Sequence, residues 1–546
     1  MQGIADHHGQ PGQNKISRQA LFLAILVWAL FLRLVFIFQS LPTPIFNGLS
    51  LDSALYDRVA LNILAGSTPD SAHVFANVFY AYFLAGIYFI FGSSHLAVVL
   101  IQALLDTLSC GLIFFITRRI WGQATGLIAA ALYAFYGLAV FYTGILLPPV
   151  VTIFLALAAA ASLAKGRAQD DTRFIFGSGI LLGAAALARP HLTLIIALTI
   201  LWFLVGWRKK AARFPGRKAA ALFAAGVILV FGMMAGLNAT RTGIFSPFAA
   251  QGGINFYIGN NPQARGYYRT PDEMAAYPVR LVESALKQAR EISGRDLTPA
   301  QASAFWRNRA LTFLKDRPGA ATVLYMKKLA LFWRAEEIPS SINFNLSKRF
   351  TPIFRLPLLG FGLIAPLALI GLFLAVRLNR PAEIPGIFAA GQMLAVILFF
   401  VNERYRLPAV PFLIMFAAGT LNESWQAFRR RDKKRLLGGI GIGFILLAVI
   451  NMPVPFVQEA MTYNQSIHYF NLGVTYQKQG ELEKAERAYR QTLNLYPAFP
   501  DVYNNLGLIH EQRGQLDQAR AAYKKALALD PHFTQAHLNL NLINDL

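Results

Sequence analysis

The chain has 546 residues, of which 55% are hydrophobic and 14% charged, with a mean hydropathy of +0.43. These values exclude an ordinary soluble protein and point to a polytopic membrane protein. The net charge of +23 does not point to nucleic acid, because the basic residues fall in short clusters between apolar runs, as on the cytoplasmic side of membrane proteins. The single cysteine, Cys110, lies in an apolar run, so no intrachain disulfide forms.

Residues 1–18 are polar and rich in Gly, His and Gln, and are expected to form a disordered cytoplasmic tail. The first apolar run is too long for a removable signal peptide and lacks a small-residue cleavage site. Runs that meet the ~20-residue spanning criterion lie at about 19–40, 95–117, 122–142, 146–164, 219–237, 355–376, 383–402, 406–422 and 436–452. Two more flank Ala188-Arg189-Pro190 within 173–207. The uncharged stretch 74–92 could also span. If it did, nearly the whole basic excess would move outside, against the positive-inside rule. It is therefore read as a helix at the outer interface. The predicted fold is all-α: a bundle of about 11 transmembrane helices over 19–452, with its N-terminus cytoplasmic and external loops at 41–94 and 238–354.

From 453 the character changes. Leu472/Leu506, Gly473/Gly507, Gly480/Gly514, Ala485/Ala519, Tyr489/Tyr523 and Pro497/Pro531 repeat at a constant spacing. This is the tetratricopeptide signature, two repeats plus a terminal helix over 453–546, predicted as an extracytoplasmic α-solenoid. Such repeats bind proteins or peptides and do no chemistry.

The stretch "GLSLDSALYDRVALNILAG" (48–66) places Asp52 about a dozen residues after the first span. On a helix Asp52 shares a face with Tyr56, and Asp57 lies on another. Asp52 suits a helix N-cap. It equally suits a base acting on a hydroxyl at the outer interface, where burial shifts a carboxyl group upward. "NERYRLP" (402–408) puts Arg404 and Arg406 at an outer span end, the wrong side for positive-inside anchors, and Arg189 before Pro190 is similar. Arginine forks suit a phosphate. Arg33, inside the first span, is expected to snorkel or to pair within the bundle. "QGGINFYIGNNPQARGYYRTP" (251–271) offers Asn255, Asn260 and Asn261 for a ligand, or makes a plain structured turn. Glu336 and Glu337 are solvated, paired with Arg334, or supply charge to a site. No His/Cys/Asp cluster has metal-ligand spacing, and no Gly-rich phosphate loop with Lys is present.

"LDSALYDRVALNILAG", "FYAYFLAGIYFIFG", "FITRRIWGQATGLIAAALYAFYGLAVFYTG" and "NERYRLPAVPFLIMFAAG" together resemble the GT-C superfamily of integral membrane glycosyltransferases. The resemblance is to its protein O-mannosyltransferase-like and aminoarabinose-transferase-like branches. It covers about 19–160 and 355–422. The resemblance implies a polyprenyl-phosphate-linked sugar as donor, no nucleotide, and a divalent metal in some members. It implies that Asp52 contacts or deprotonates an acceptor hydroxyl on a protein, lipid or glycan; for the donor phosphate the candidates by position are Arg404, Arg406 and Arg189, and for the acceptor or sugar Tyr56, Asn255, Asn260, Asn261, Glu336 and Glu337. Many relatives carry a second acid in the next external turn. Here that turn reads "YTGILLPPVV", with Pro148 in its place. The implied location is the bacterial inner membrane with the repeats periplasmic. Two rivals stand beside this reading: a membrane-anchored repeat scaffold without catalysis, and a transporter of the same lipid, against which the spans show no inverted repeat.

Overall fold

The computed structural model describes residues 13–43, 46, 51–67, 78–208, 216–271, 274, 278–339 and 344–544. The tail before residue 13, the start of the stretch at 74–77 and most of the basic cluster at 209–215 lie outside the described residues.

All regular structure among the described residues is helical, apart from two isolated β-bridges. Each expected span is occupied by helix. In chain order these are α1 (Gln13–Ser40), then, after α2 (Leu51–Leu64) and α3 (Val78–Phe91) of the first loop, α4 (His95–Trp121), α5 (Gln123–Ala134) with α6 (Gly137–Thr143), α7 (Pro149–Gln169), α8 (Thr172–Ala188), α9 (Thr193–Arg208) and α10 (Gly216–Thr242). The second large loop holds α11 (Gly252–Gly259), α12 (Pro278–Ser293), α13 (Pro299–Asp316) and α14 (Pro318–Trp333). Then come α15 (Phe361–Arg377), α16 (Glu383–Leu398), α17 (Val410–Arg429) and α18 (Lys433–Asn451). Among the described residues five helices are long and apolar enough to cross a membrane (α1 from Arg18, α4, α7, α10 and α18) and six more are apolar but shorter. The chain is a multi-pass membrane protein.

The stretch at 74–92 is described from Val78. From Val78 to Phe91 it is a 14-residue apolar helix, among the shorter apolar helices of the described residues. The expected span at 122–142 is not one helix. It breaks at Phe135–Tyr136, where Leu359 N–H donates to the Phe135 carbonyl (2.9 Å) and Gly137 N–H donates to the Leu359 carbonyl (3.0 Å). The freed backbone groups are thus paired inside protein, the condition for irregular backbone at membrane depth.

Two contacts show how the bundle closes. Helices α8 and α10 cross at Gly179 and Gly226. A Cβ at Gly179 would lie 2.1 Å from the Phe223 carbonyl oxygen, and one at Gly226 would lie 2.4 Å from that of Phe176. Only glycine allows such an approach between membrane helices. Arg33 in α1 is fully buried and pairs with Asp106 of α4 through Nη2 (2.6 Å) and Nε (2.7 Å). Its Nη1 donates to the carbonyls of Ala29 and of Ala134, the last residue of α5, and Tyr133 Oη donates to Asp106 Oδ1 (2.6 Å). Pairing within the bundle, not snorkelling, is what Arg33 does.

The repeats follow without a gap. Helix α19 (Pro455–Lys478) leads into α20 (Leu482–Leu495), α21 (Pro500–Gln512), α22 (Leu516–Leu529) and α23 (Thr534–Asn544). Gly473 and Gly507 meet the rings of Tyr489 and Tyr523 at equivalent places, so the sequence repeat is a packing repeat. One apolar core runs from the spans through Val457, Ala460, Tyr463 and Ile467 into Tyr489.

Candidate active site

At the end of the bundle where the two large loops gather, three turns meet. The first is the start of α2. Asp52 falls in its first helical turn rather than at the cap, where a carboxylate suits the helix dipole. The second is the turn after α8, where Arg189 leaves the helix with extended backbone because Pro190 follows. The third joins α16 to α17. Asn402 caps it by accepting from Tyr405 N–H (2.8 Å), which orients the short helix Glu403–Arg406.

Arg404 Nη1 is hydrogen-bonded and ion-paired to Asp52 Oδ2. Two cations lie on the Tyr405 ring: the Arg189 guanidinium is 5.1 Å from its centroid and that of Arg404 is 5.3 Å away. His191 packs at a tilt against the same ring (5.3 Å), and the Gln392 amide donates to the Tyr405 carbonyl (2.7 Å) while lying 3.0 Å from His191 Nε2. Tyr56, four residues after Asp52, packs edge-on against Tyr80 (5.2 Å). Tyr80 in turn donates to Gln102 (2.7 Å), which holds the Thr143 and Ile145 carbonyls of the turn where Pro148 stands.

Among the described residues the charge of this cluster is unbalanced: two guanidinium groups lie near one paired carboxylate, Asp52. Burial, then the Arg404 charge, pushes Arg189 below its usual range. Burial also works against Arg404, but the Asp52 carboxylate outweighs it and raises the group. Burial raises the Tyr56 phenol, partly offset by Arg189. Arg189 Nη2 and Arg404 Nε are buried and make no hydrogen bond among the described residues. Buried guanidinium donors without acceptors are costly, and an anion would satisfy them. Glu403 does not rebalance the charge. It is 1% exposed, accepts from Tyr142 Oη (3.2 Å), and burial, reinforced by Glu337, raises it well above the usual carboxyl range.

The other residues singled out in the sequence are placed differently. Arg406 is 2% exposed; its Nη1 donates to the Phe332 and Arg334 carbonyls and its Nη2 to Glu336 O and Glu337 Oε2 (2.6 Å). Those donors are spent on the loop after α14, so Arg406 fastens that loop. Glu337 also accepts from Tyr136 Oη, and Glu336 pairs with Arg334, which in turn ties the end of α18 through the Val449 carbonyl. Asn260 is fully buried: its amide donates to the Phe256 and Leu398 carbonyls and its oxygen accepts from Lys328 Nζ (2.9 Å). Asn261 closes the end of α11 through the Tyr257 and Ile258 carbonyls and accepts from Gln263 N–H. Neither amide is left for a sugar. Asn255 is half-buried in the middle of α11. Gly253 and Gly259 of that segment sit against the backbone of Ser303 and Phe399, a packing reason for the glycines.

No group of three or more His, Cys, Asp and Glu side chains that could hold a metal occurs among the described residues. Among the described residues Asp52 is the carboxylate beside Arg189 and Arg404 and is engaged by Arg404, so these residues do not fit a divalent metal. Sequence reasoning missed Tyr405, Gln392 and His191. For Tyr405 and His191 the signal was nearness in sequence to Arg404 and Arg189; Gln392, in α16, carried none.

The fold and site define a polytopic, all-helical membrane protein with a buried, arginine-rich polar cluster at one end and tetratricopeptide repeats beside it. Residues 76–235 match the family described as dolichyl-phosphate-mannose-protein mannosyltransferase, and residues 470–532 match the tetratricopeptide repeat. These two segments carry the resemblance to the GT-C membrane glycosyltransferases with C-terminal repeats. No curated protein matches the chain. Solved structures with a similar course include the Archaeoglobus fulgidus oligosaccharyltransferase with zinc and sulfate (TM-score 0.46, 16% identity, 87% of this chain, 57% of that one). The same organism's AglB with an inhibitory peptide and a dolichol-phosphate gives TM-score 0.42, 14% identity, 84% of this chain and 58% of that one. Cupriavidus metallidurans ArnT bound to undecaprenyl phosphate gives TM-score 0.40, 14% identity, 93% of this chain and 80% of that one. The chain spans less than two thirds of the archaeal enzyme's length.

Proposed function

We propose that the protein is a membrane glycosyltransferase that moves a sugar from a polyprenyl-phosphate donor to an acceptor hydroxyl on the extracytoplasmic face. The observation that carries this reading is the pair Arg189 and Arg404, two buried guanidinium groups on one aromatic ring, with the Asp52 carboxylate paired to Arg404. A phosphate entering beside Tyr405 fills the unbonded Arg189 Nη2 and Arg404 Nε. It also draws Arg404 away from Asp52, leaving that carboxylate able to accept a proton. The acceptor oxygen attacks the anomeric carbon as its proton passes to Asp52. The carbon–oxygen bond to phosphate breaks, and polyprenyl phosphate departs as an anion held by the two arginines. One displacement inverts the anomeric centre. The reading of this end as outside is supported by Arg118, Arg119, Arg167, Arg377, Arg380 and Arg429 at helix termini of the opposite end, as the positive-inside rule expects of a cytoplasmic face. The inner membrane of a bacterium is the proposed location, and the repeats recruit a protein, either the acceptor or an assembly partner.

The test is direct. Protein in lipid nanodiscs is given a polyprenyl-phosphate sugar labelled in the sugar, and release of polyprenyl phosphate is followed. Wild-type release with none from Asp52→Asn supports the proposal. Release at the wild-type rate from Asp52→Asn removes Asp52 from the chemistry.

A further inference from the structure

Helix α19, which bears the first repeat, lies against the segment that backs the arginine cluster. Arg265 is ion-paired to Glu459 of α19, and Arg269 Nη1 lies 3.9 Å from the same carboxylate oxygen. The Arg269 guanidinium is 5.7 Å from the Tyr463 ring, and the Tyr267 ring is 6.2 Å from it. The intervening residue faces the other way. The Tyr268 ring packs on Phe400 (5.2 Å), and Phe400 packs on Tyr405 (5.4 Å). The backbone follows the same logic: Val401 N–H donates to the Gly266 carbonyl (2.9 Å), and Tyr267 bridges to Val401. Alternation along an extended segment thus sends 265, 267 and 269 to the repeat helix, and 268 to the ring on which the two arginines lie.

We infer that Tyr463 and Glu459 are positioning residues for the anion site: the repeat-bearing helix fixes segment 265–269, which fixes Phe400 and so the Tyr405 ring against Arg189 and Arg404. The inference rests on the proposed reading of those arginines as a phosphate site. It assigns the repeats a second task, holding the donor site in shape, beyond recruiting a protein. The buried ring pair carries the docking, since Tyr267 and Tyr463 are 2% and 6% exposed. The half-exposed ion pair is worth little in energy and sets which way α19 faces.

The experiment titrates the full-length chain in nanodiscs with undecaprenyl phosphate. Wild-type binding that Arg189→Ala abolishes establishes the site; no wild-type binding overturns the phosphate reading itself. Given binding, Tyr463→Ala is expected to weaken it by about five- to tenfold while Tyr463→Phe keeps it. Arg265→Glu and Glu459→Arg, each alone, weaken it, and the double exchange restores it without a matching change in melting temperature. Wild-type affinity in Tyr463→Ala overturns the inference. Should that variant fail to fold, wild-type affinity in both single charge variants, or no recovery in the double, overturns it.

Discussion

The Arg189 guanidinium sits 5.1 Å from the centre of the Tyr405 ring, although one residue follows α8 and the other precedes α17. A buried cation on a phenol face gains about 2 kcal/mol or more when desolvated. That does not repay the burial of a guanidinium whose Nη2 finds no acceptor among the described residues. The residue is therefore expected to cost stability and to bind an anion.

Arg189→Leu separates these two effects. It should leave the melting temperature unchanged or raise it, and lower undecaprenyl phosphate affinity by at least about tenfold, the loss of one charge-assisted contact. Arg189→Lys should recover only part of the affinity, because an ammonium lacks the planar fork. Thermal melts and a binding titration on the same preparations decide it. A large drop in melting temperature for Arg189→Leu would show a structural ion instead.

The buried pair Arg33–Asp106 behaves in the opposite way. Arg33 Nε and Nη2 meet Asp106 Oδ2, Nη1 meets two carbonyls, and Tyr133 fills Asp106 Oδ1. Removing one partner strands a charge among helices, a loss of about 3–5 kcal/mol. Asp106→Leu and Arg33→Leu should each destabilise by that order. The double variant should recover much of the loss, as apolar replacements of paired charges do. Unfolding in detergent measures the cycle, and strict additivity of the single losses would refute the coupling.

The spans and repeats were legible because each is written locally, in hydropathy long enough to cross and in a constant spacing of small and aromatic residues. The break at Phe135–Tyr136 was not, because its cause is the backbone of Leu359, far away in the chain. Arg404 and Arg406 look alike in "NERYR". Two residues apart on a helical turn they face different ways, one to Asp52 and one to the carbonyls after α14. The Asn pair of "GNNP" looks like a ligand site for the same reason that it closes a helix: an amide that can donate to backbone carbonyls can donate to a sugar. Only the surrounding chain decides between these uses.

The α8–α10 crossing gives a packing prediction. At Gly226 any side chain meets the backbone of Phe176 and Ile180, which cannot rotate aside. Gly226→Leu should cost at least about 1–3 kcal/mol, the range for overpacking, and separate α8 from α10. Because α8 ends at Arg189, the variant should also lose undecaprenyl phosphate binding. Gly232, with open space around it, is the control: Gly232→Leu should match wild type in both measurements.

Lys328 in α14 is fully buried, with Asn260 Oδ1 as its hydrogen-bond acceptor, and burial lowers its ammonium to about 7. In the unfolded chain a lysine titrates near its ordinary value of about 10.4. Between these values the unfolded state binds a proton that the folded state does not. Stability from this group therefore rises as pH climbs from about 7 to about 10. The penalty is complete below the folded value and gone above the unfolded one. Lys328→Met removes the titration and also strands the Asn260 oxygen, a cost that does not vary with pH. The difference in stability, wild type minus variant, should thus grow steadily in favour of wild type from pH 7 to pH 10 and stay flat from pH 5 to pH 6. Chemical unfolding of both proteins in detergent across this range tests the sign. A difference that stays level from pH 7 to 10, or falls, would mean that Lys328 is protonated in the folded protein throughout and that its burial is compensated by groups other than Asn260.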